Sequence, residues 1–177
     1  VLAVVGLGRT LRNLSGQRTR QPLASFAVAG GGAALDRVLA DPELTELILD
    51  ELNVKALGLL ADPGERMRFV VKPRFKVLGP RLGGAMKAVA AALAALPPAA
   101  VLAGYREGSL AVSAQGQTFT LAREELDFAV EPLGDFAVGM EGPLVGALAL
   151  TLDAALIREG HLRELVDRLF TRVPAGV

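Results

Sequence analysis

The side chains with the most chemical potential in this chain are cations. Arg66, Arg68, Lys72, Arg74, Lys76, Arg81, Lys87 and Arg106 follow one another with no acid between Glu65 and Glu107. Arg66, Arg68, Lys72, Arg74 and Lys76 share the parity of an extended strand, so they project from one face at multiples of ~6.6 Å. Guanidinium and ammonium groups placed in this way can follow a sugar–phosphate backbone. A face that serves solubility alone intersperses acids with its bases, and this segment has none close in sequence. Phe69 and Phe75 fall on the opposite parity and are expected to face the core. A second candidate is Gly79-Pro80-Arg81-Leu82-Gly83-Gly84, glycine-rich at a predicted helix start, where unbonded N–H groups favour phosphate. It lacks the Gly-Lys-Ser/Thr of a P-loop. That argues against NTP hydrolysis and leaves two readings, contact with one backbone phosphate or a plain capping turn.

Other chemistry is scarce. With no cysteine there is no thiolate nucleophile, disulfide framework or Cys-type zinc site. His161 is the single histidine and has no ligand partners at metal spacing. Glu124-Glu125 reads as a solvated loop, and no Ser/His/Asp arrangement emerges from spacing. Val1–Leu11 resembles the opening of a dinucleotide fingerprint through Gly6 and Gly8. However, Leu11 stands where the third glycine belongs, and the next acid is Asp36. An ordinary helix accounts for these residues better.

Nineteen basic and nineteen acidic residues cancel, yet the charges are sorted. Residues 1–35 carry +4, 36–65 carry −6, 66–106 carry +8, 107–157 carry −7 and 158–177 carry +1. A chain sorted in this way is expected to fold with one basic face. No segment reads as a bilayer span or a signal peptide, and a cytoplasmic location is expected. The chain opens on Val1, so it is expected to be a piece of a longer protein.

These groups need elements to position them. Val4, Leu7, Leu11 and Leu14 predict a helix over 4–14. Leu23–Ala29 predicts a strand, and Asp41-Pro42-Glu43 the start of a helix to about Leu52. Val54–Leu60 is a second strand and Arg66–Val77 a third, bent or ended at Pro73. Leu82, Met86, Val89, Leu93 and Leu96 predict a helix from Gly79-Pro80 to Pro97-Pro98, with a short helix near 99–103. Strands follow at 109–113, 118–121, 128–130, 136–140 and 144–152. A last helix spans about 153–172, with Leu156, Ile157, Leu165, Leu169 and Phe170 near one face. The class expected is α+β, with mixed and antiparallel sheets and packed helices.

Four strings, in order, resemble the C-terminal region of isoleucyl-tRNA synthetases, in the branch that resembles the eukaryotic and archaeal enzymes. They are Arg18-Thr19-Arg20-Gln21-Pro22-Leu23, Glu51-Leu52-Asn53-Val54-Lys55, Lys72-Pro73-Arg74-Phe75-Lys76-Val77-Leu78-Gly79-Pro80-Arg81-Leu82-Gly83, and Leu150-Thr151-Leu152-Asp153 running into Glu159-Gly160 and Arg163-Glu164-Leu165-Val166. The third is the most specific, although Arg74 stands where the family usually has Asn. The family's ATP-binding signatures are absent from this stretch.

The resemblance implies a class I synthetase parent that joins isoleucine to its tRNA with ATP and magnesium in another domain. It implies that this portion, with no catalytic residue or cofactor of its own, helps hold the anticodon region of isoleucine tRNA. The resemblance makes residues 1–22 the end of an anticodon-binding helical bundle. The pattern of elements then divides the rest into 23–105, an αβ tRNA-binding lobe, and 106–177, a strand-rich lobe closed by the last helix. The sequence leaves open whether these two are separate. The matched cations Arg18, Arg20, Lys72, Lys76 and Arg81 take the RNA-facing role, and the charge argument adds Arg66, Arg68, Arg74 and Lys87. The expected partners are tRNA and the rest of the synthetase chain, without membrane or DNA. The alternative is a structural spacer that docks on the parent and touches no RNA.

Overall fold

The computed structural model describes residues 1–171. In chain order the elements are α1 (Leu2–Leu14), β1 (Leu23–Ala29), α2 (Ala33–Ala40), α3 (Pro42–Leu52), β2 (Val54–Leu59), β3 (Met67–Pro73), α4 (Phe75–Leu82), α5 (Met86–Ala94), α6 (Pro98–Glu107), β4 (Ser109–Ala114), β5 (Gln117–Ala122), β6 (Leu126–Pro132), β7 (Phe136–Glu141), β8 (Leu144–Ala149) and α7 (Ala154–Thr171). The expected α+β class holds. The chain divides into two compact units, residues 1–61 with 134–177, and residues 62–133. The lobe boundary expected at 105/106 falls inside α6, within the second unit.

The first unit is built on a mixed sheet of order β2-β1-β8-β7, with β2 parallel to β1 and the other pairs antiparallel. α1 packs on β7 and β8 and against α3. Its apolar side chains Val4, Leu7 and Leu11 recur at 3-4 spacing and join Phe26, Val28, Ile48, Leu52 and Leu148 in one buried core. Residues 1–22, expected to end a separate bundle, thus supply a helix to this sheet. The strand at 1–6 that a dinucleotide site needs is helix instead. Gly8 suits this packing, because a Cβ there would run into Leu52 Cδ1 and push that buried side chain aside.

Asp41 caps α3 as expected, its Oδ1 accepting from the N–H of Glu43 at 3.0 Å and of Leu44 at 3.2 Å. α2 gave no expectation. Arg12, 4% exposed, is the hub of the unit. Its Nη1 donates to the carbonyls of Arg18 and Gln21 at 2.8 and 2.9 Å, and its Nη2 to those of Leu52 and Asn53 at 2.8 and 3.0 Å. Burial lowers its pKa from the usual guanidinium value, but arginine in a protein stays charged. On α7, Leu156 is buried, whereas Ile157, Leu165 and Leu169 are exposed. The face expected to pack is therefore mostly open, and the side chain of Phe170 lies outside the described residues.

The second unit holds two antiparallel pairs, β3–β6 and the hairpin β4–β5. α5 and α6 pack on β3 and β4. The hairpin turns on Gln115-Gly116, both at positive φ, 52° and 76°, the primed geometry that a two-residue hairpin favours. Met67, Phe69, Val71, Leu78, Val89, Leu93, Val101, Leu110, Val112, Leu121 and Leu126 are buried. Two expectations need correction. The third strand stops at Pro73 rather than Val77, and the next helix opens at Phe75 rather than Gly79. Proline cannot donate to a ladder, so strand period two gives way to helical period there. The helical run is also broken by a 3₁₀ turn at Gly83–Ala85, three residues beyond Pro80.

Candidate nucleic-acid interface

The outer face of β3 follows from strand alternation. Met67, Phe69, Val71 and Pro73 are buried, while Arg68 and Lys72 are exposed and Val70 half-buried. The register sets Arg68 opposite Glu131 and Lys72 opposite Asp127 on β6. Arg74 donates from Nε to Asp127 Oδ1 at 2.6 Å and from Nη1 to the Glu124 carbonyl at 3.1 Å. Arg81 Nη2 reaches Glu125 Oε2 at 3.0 Å and the Thr120 carbonyl at 3.3 Å. The segment that lacks acids in sequence therefore receives them from 124–131 by folding. The expectation that these cations lack carboxylate partners is corrected for Arg74 and Arg81. The second unit holds nine basic and seven acidic residues, so its positive excess is small.

What remains open is a subset. Among the described residues Arg68, Lys72, Lys76 and Lys87 are exposed and form no ion pair. Arg66 is half-buried. Arg74 and Asp127 are about half exposed. Exposed pairs of this kind contribute about 0–1 kcal/mol, so a phosphate can compete for the guanidinium. Arg18 and Arg20 belong to the first unit, where they pair with Glu164 at 3.4 Å and Asp167 at 2.8 Å on α7. The nine candidates thus fall two in one unit and seven in the other.

Phe75 is the residue that strand alternation misplaces. It is 63% exposed and Val77 51%. As the first residue of α4, Phe75 follows the helix, whose inward positions are Leu78 and Leu82. Reading Pro73 as a strand end, with Leu78 and Leu82 at i and i+4, would have found this. The glycine-rich run expected at a helix start instead closes α4 and forms the 3₁₀ turn, with the Gly83 N–H donating to the Gly79 carbonyl.

His161 is exposed and, with Gly16–Gln21, Leu152, Gly160 and Glu164, lines a cavity of about 790 Å³ in the first unit. Among the described residues no three His, Asp or Glu side chains gather where they could hold a metal ion. No single described helix is long and apolar enough to cross a membrane.

Three of the four strings interlock in the first unit. Asn53 Nδ2 donates to the Thr19 carbonyl at 3.0 Å, and Arg163 Nη1 to Asn53 Oδ1 at 2.8 Å. Gln21 Nε2 reaches the Leu156 carbonyl at 2.9 Å, and Lys55 Nζ donates to Glu159 at 2.7 Å. The Lys55 hydrogen bond, helped by Arg163, holds the Glu159 carboxyl below the usual range. These three strings carry structure; in the string at 72–83, Lys72 and Lys76 are exposed with no ion pair among the described residues.

No family model matches the chain. Among individual proteins, it is similar over nearly its whole length to aminoacyl-tRNA synthetases. They are isoleucine–tRNA ligases. That of Streptomyces coelicolor is 36% identical over 167 residues, 94% of this chain and 16% of the relative. That of Chlamydia trachomatis is 30% identical over 168 residues, 95% and 16%. That of Porphyromonas gingivalis is 32% identical over 159 residues, 90% and 14%. The resemblance of the four strings to isoleucyl-tRNA synthetases therefore holds, and the chain spans about a sixth of the length of these curated relatives.

Proposed function

We propose that the chain is the noncatalytic, tRNA-binding C-terminal part of an isoleucyl-tRNA synthetase, in the branch that resembles the eukaryotic and archaeal enzymes. It holds the anticodon region of isoleucine tRNA in the cytoplasm while a catalytic domain, using ATP and magnesium, charges the other end. The observation that carries this reading is the set Arg68, Lys72, Lys76 and Lys87, exposed and without ion-pair partners among the described residues. The set overlaps the most specific matched string, in a chain whose relatives are named for tRNA. Phosphate contacts from these lysines position the RNA, and sequence is read by contacts to unpaired bases.

Filter binding of the full chain to isoleucine tRNA tests this. The triple variant Lys72→Gln, Lys76→Gln, Lys87→Gln should bind at least tenfold more weakly with an unchanged melting temperature. Equal affinity rejects this site.

One observation favours a second reading, a docking part of the synthetase with no RNA contact. α7 exposes Leu162, Leu165, Val166 and Leu169, an apolar face that another part of a longer chain can cover. On this reading, removing the segment from the synthetase lowers stability and leaves tRNA affinity intact.

A further inference from the structure

A single exposed apolar side chain is ordinary on a protein surface, and Phe75 calls for more than that for three reasons. First, its backbone is fixed. The Arg74 N–H donates to the Glu125 carbonyl at 2.9 Å, and the N–H groups of Val77 and Leu78 return to the Arg74 carbonyl at 3.0 and 2.9 Å. The Arg74 side chain is tied to Asp127 and to Glu124, and Leu78, one helical turn on, is fully buried. The ring therefore stands on a turn braced from both ends, which lowers the entropic cost of using it as a contact. Second, Val77 shares the exposure, so the apolar surface extends beyond one ring. Third, the nearest lysines in the chain, Lys72 and Lys76, are exposed and have no ion-pair partner among the described residues.

An exposed aromatic ring with lysines three residues before it and one after it, neither in an ion pair among the described residues, matches an unpaired nucleotide. The base lies on the ring, and the flanking phosphates meet the lysines. An apolar peptide would use Phe75 and Val77 and leave the lysines without purpose. An RNA duplex would use the lysines and leave the ring without purpose.

We propose that Phe75 is a stacking platform for one unpaired base of a single-stranded RNA loop, with Lys72 and Lys76 binding the phosphates beside it. This deepens the RNA-binding reading and rests on it.

The test uses the full 177-residue chain and, as probe, an isoleucine tRNA anticodon stem-loop carrying 2-aminopurine at single loop positions. Phe75→Ala should weaken binding about tenfold, leave the log–log salt slope unchanged, and abolish the fluorescence change at one loop position. Phe75→Trp should retain both affinity and signal, and Phe75→Leu should retain neither. Lys72→Gln with Lys76→Gln should flatten the slope by about 1.4 while keeping the fluorescence change at saturation. If Phe75→Ala or Phe75→Leu binds like the parent while the lysine variant weakens, the stacking role is overturned and the RNA-binding reading stands. If the parent chain binds neither the stem-loop nor whole isoleucine tRNA, both fall. Competition by an apolar peptide but not by RNA would also overturn the stacking role. Each substitution sits on the surface, so melting temperatures should agree within about a degree and fold loss can be recognised.

Discussion

Asp127 accepts a hydrogen bond from Arg74 Nε at 2.6 Å and stands directly opposite Lys72 in the β3–β6 ladder. One carboxylate thus faces two cations that lie more than fifty residues away in sequence. It competes with any phosphate for the same groups. Asp127→Asn is therefore expected to tighten binding of isoleucine tRNA several-fold and to steepen the salt dependence by roughly one unit of log–log slope, as Arg74 is freed. Because the pair is half exposed, the stability change should stay within about 1 kcal/mol. Filter binding across a salt series, paired with thermal melts, checks both. Weaker binding by Asp127→Asn would show that Asp127 positions Arg74 rather than masks it.

Arg12 on α1 holds four carbonyls from two other stretches of the first unit, the loop at 18–21 and the end of α3 at 52–53. Arg12→Met keeps most of the volume but leaves those partly buried acceptors without their donor, and should cost about 2–4 kcal/mol. Arg12→Lys keeps the charge without the planar fork and should recover only part of that loss. Urea denaturation of each variant measures the difference.

Gly8 lets α1 lie close on Leu52 of α3, where a Cβ would force the Leu52 methyls to move. Gly8→Ala should destabilise the chain by about 1–3 kcal/mol through overpacking. In a Leu52→Ala background the same substitution should cost less, because the obstructing methyls are gone. A double-mutant cycle from denaturant melts reads this coupling directly.

Glu159 is held below the usual carboxylate range, first by the Lys55 hydrogen bond and then by charge and hydrogen bonding from Lys55 and Arg163. A carboxyl whose pKa falls on folding contributes stability above its unfolded pKa and loses it as pH drops through the folded one. Glu159→Gln should therefore be less stable than the parent at neutral pH. The gap should close in acid, below the ordinary glutamate range. Melts from pH 7 to pH 2 follow it, and a gap that widens in acid would contradict the assignment.

The sequence made much of the architecture legible where local signals and the core agree. β1 falls where the apolar run Leu23–Ala29 predicts it, and α3 where Asp41-Pro42 caps it. The hairpin 109–122 follows its alternation and its Gln-Gly turn. What was not legible depends on distant pairing. Nothing local shows that Glu125 and Asp127 will meet Arg81 and Arg74, so the cationic stretch looked more exposed electrostatically than it is. Likewise nothing local shows that Arg18 and Arg20 will meet Glu164 and Asp167 on α7. Phe75 was misplaced because one proline changes the period from two to 3.6, and the sequence allows either on its far side. Arg12 carried no signal, since a structural arginine in a helix reads like any other cation.

The most direct test of the account is the dependence of isoleucine tRNA affinity on salt, measured for the full chain and for Lys72→Gln with Lys76→Gln and Lys87→Gln. The account predicts that log K falls linearly with log salt for the parent, and that the slope is shallower by about 2–3 in the triple variant. Parallel lines for the two proteins, or no measurable binding by the parent at low salt, would contradict it.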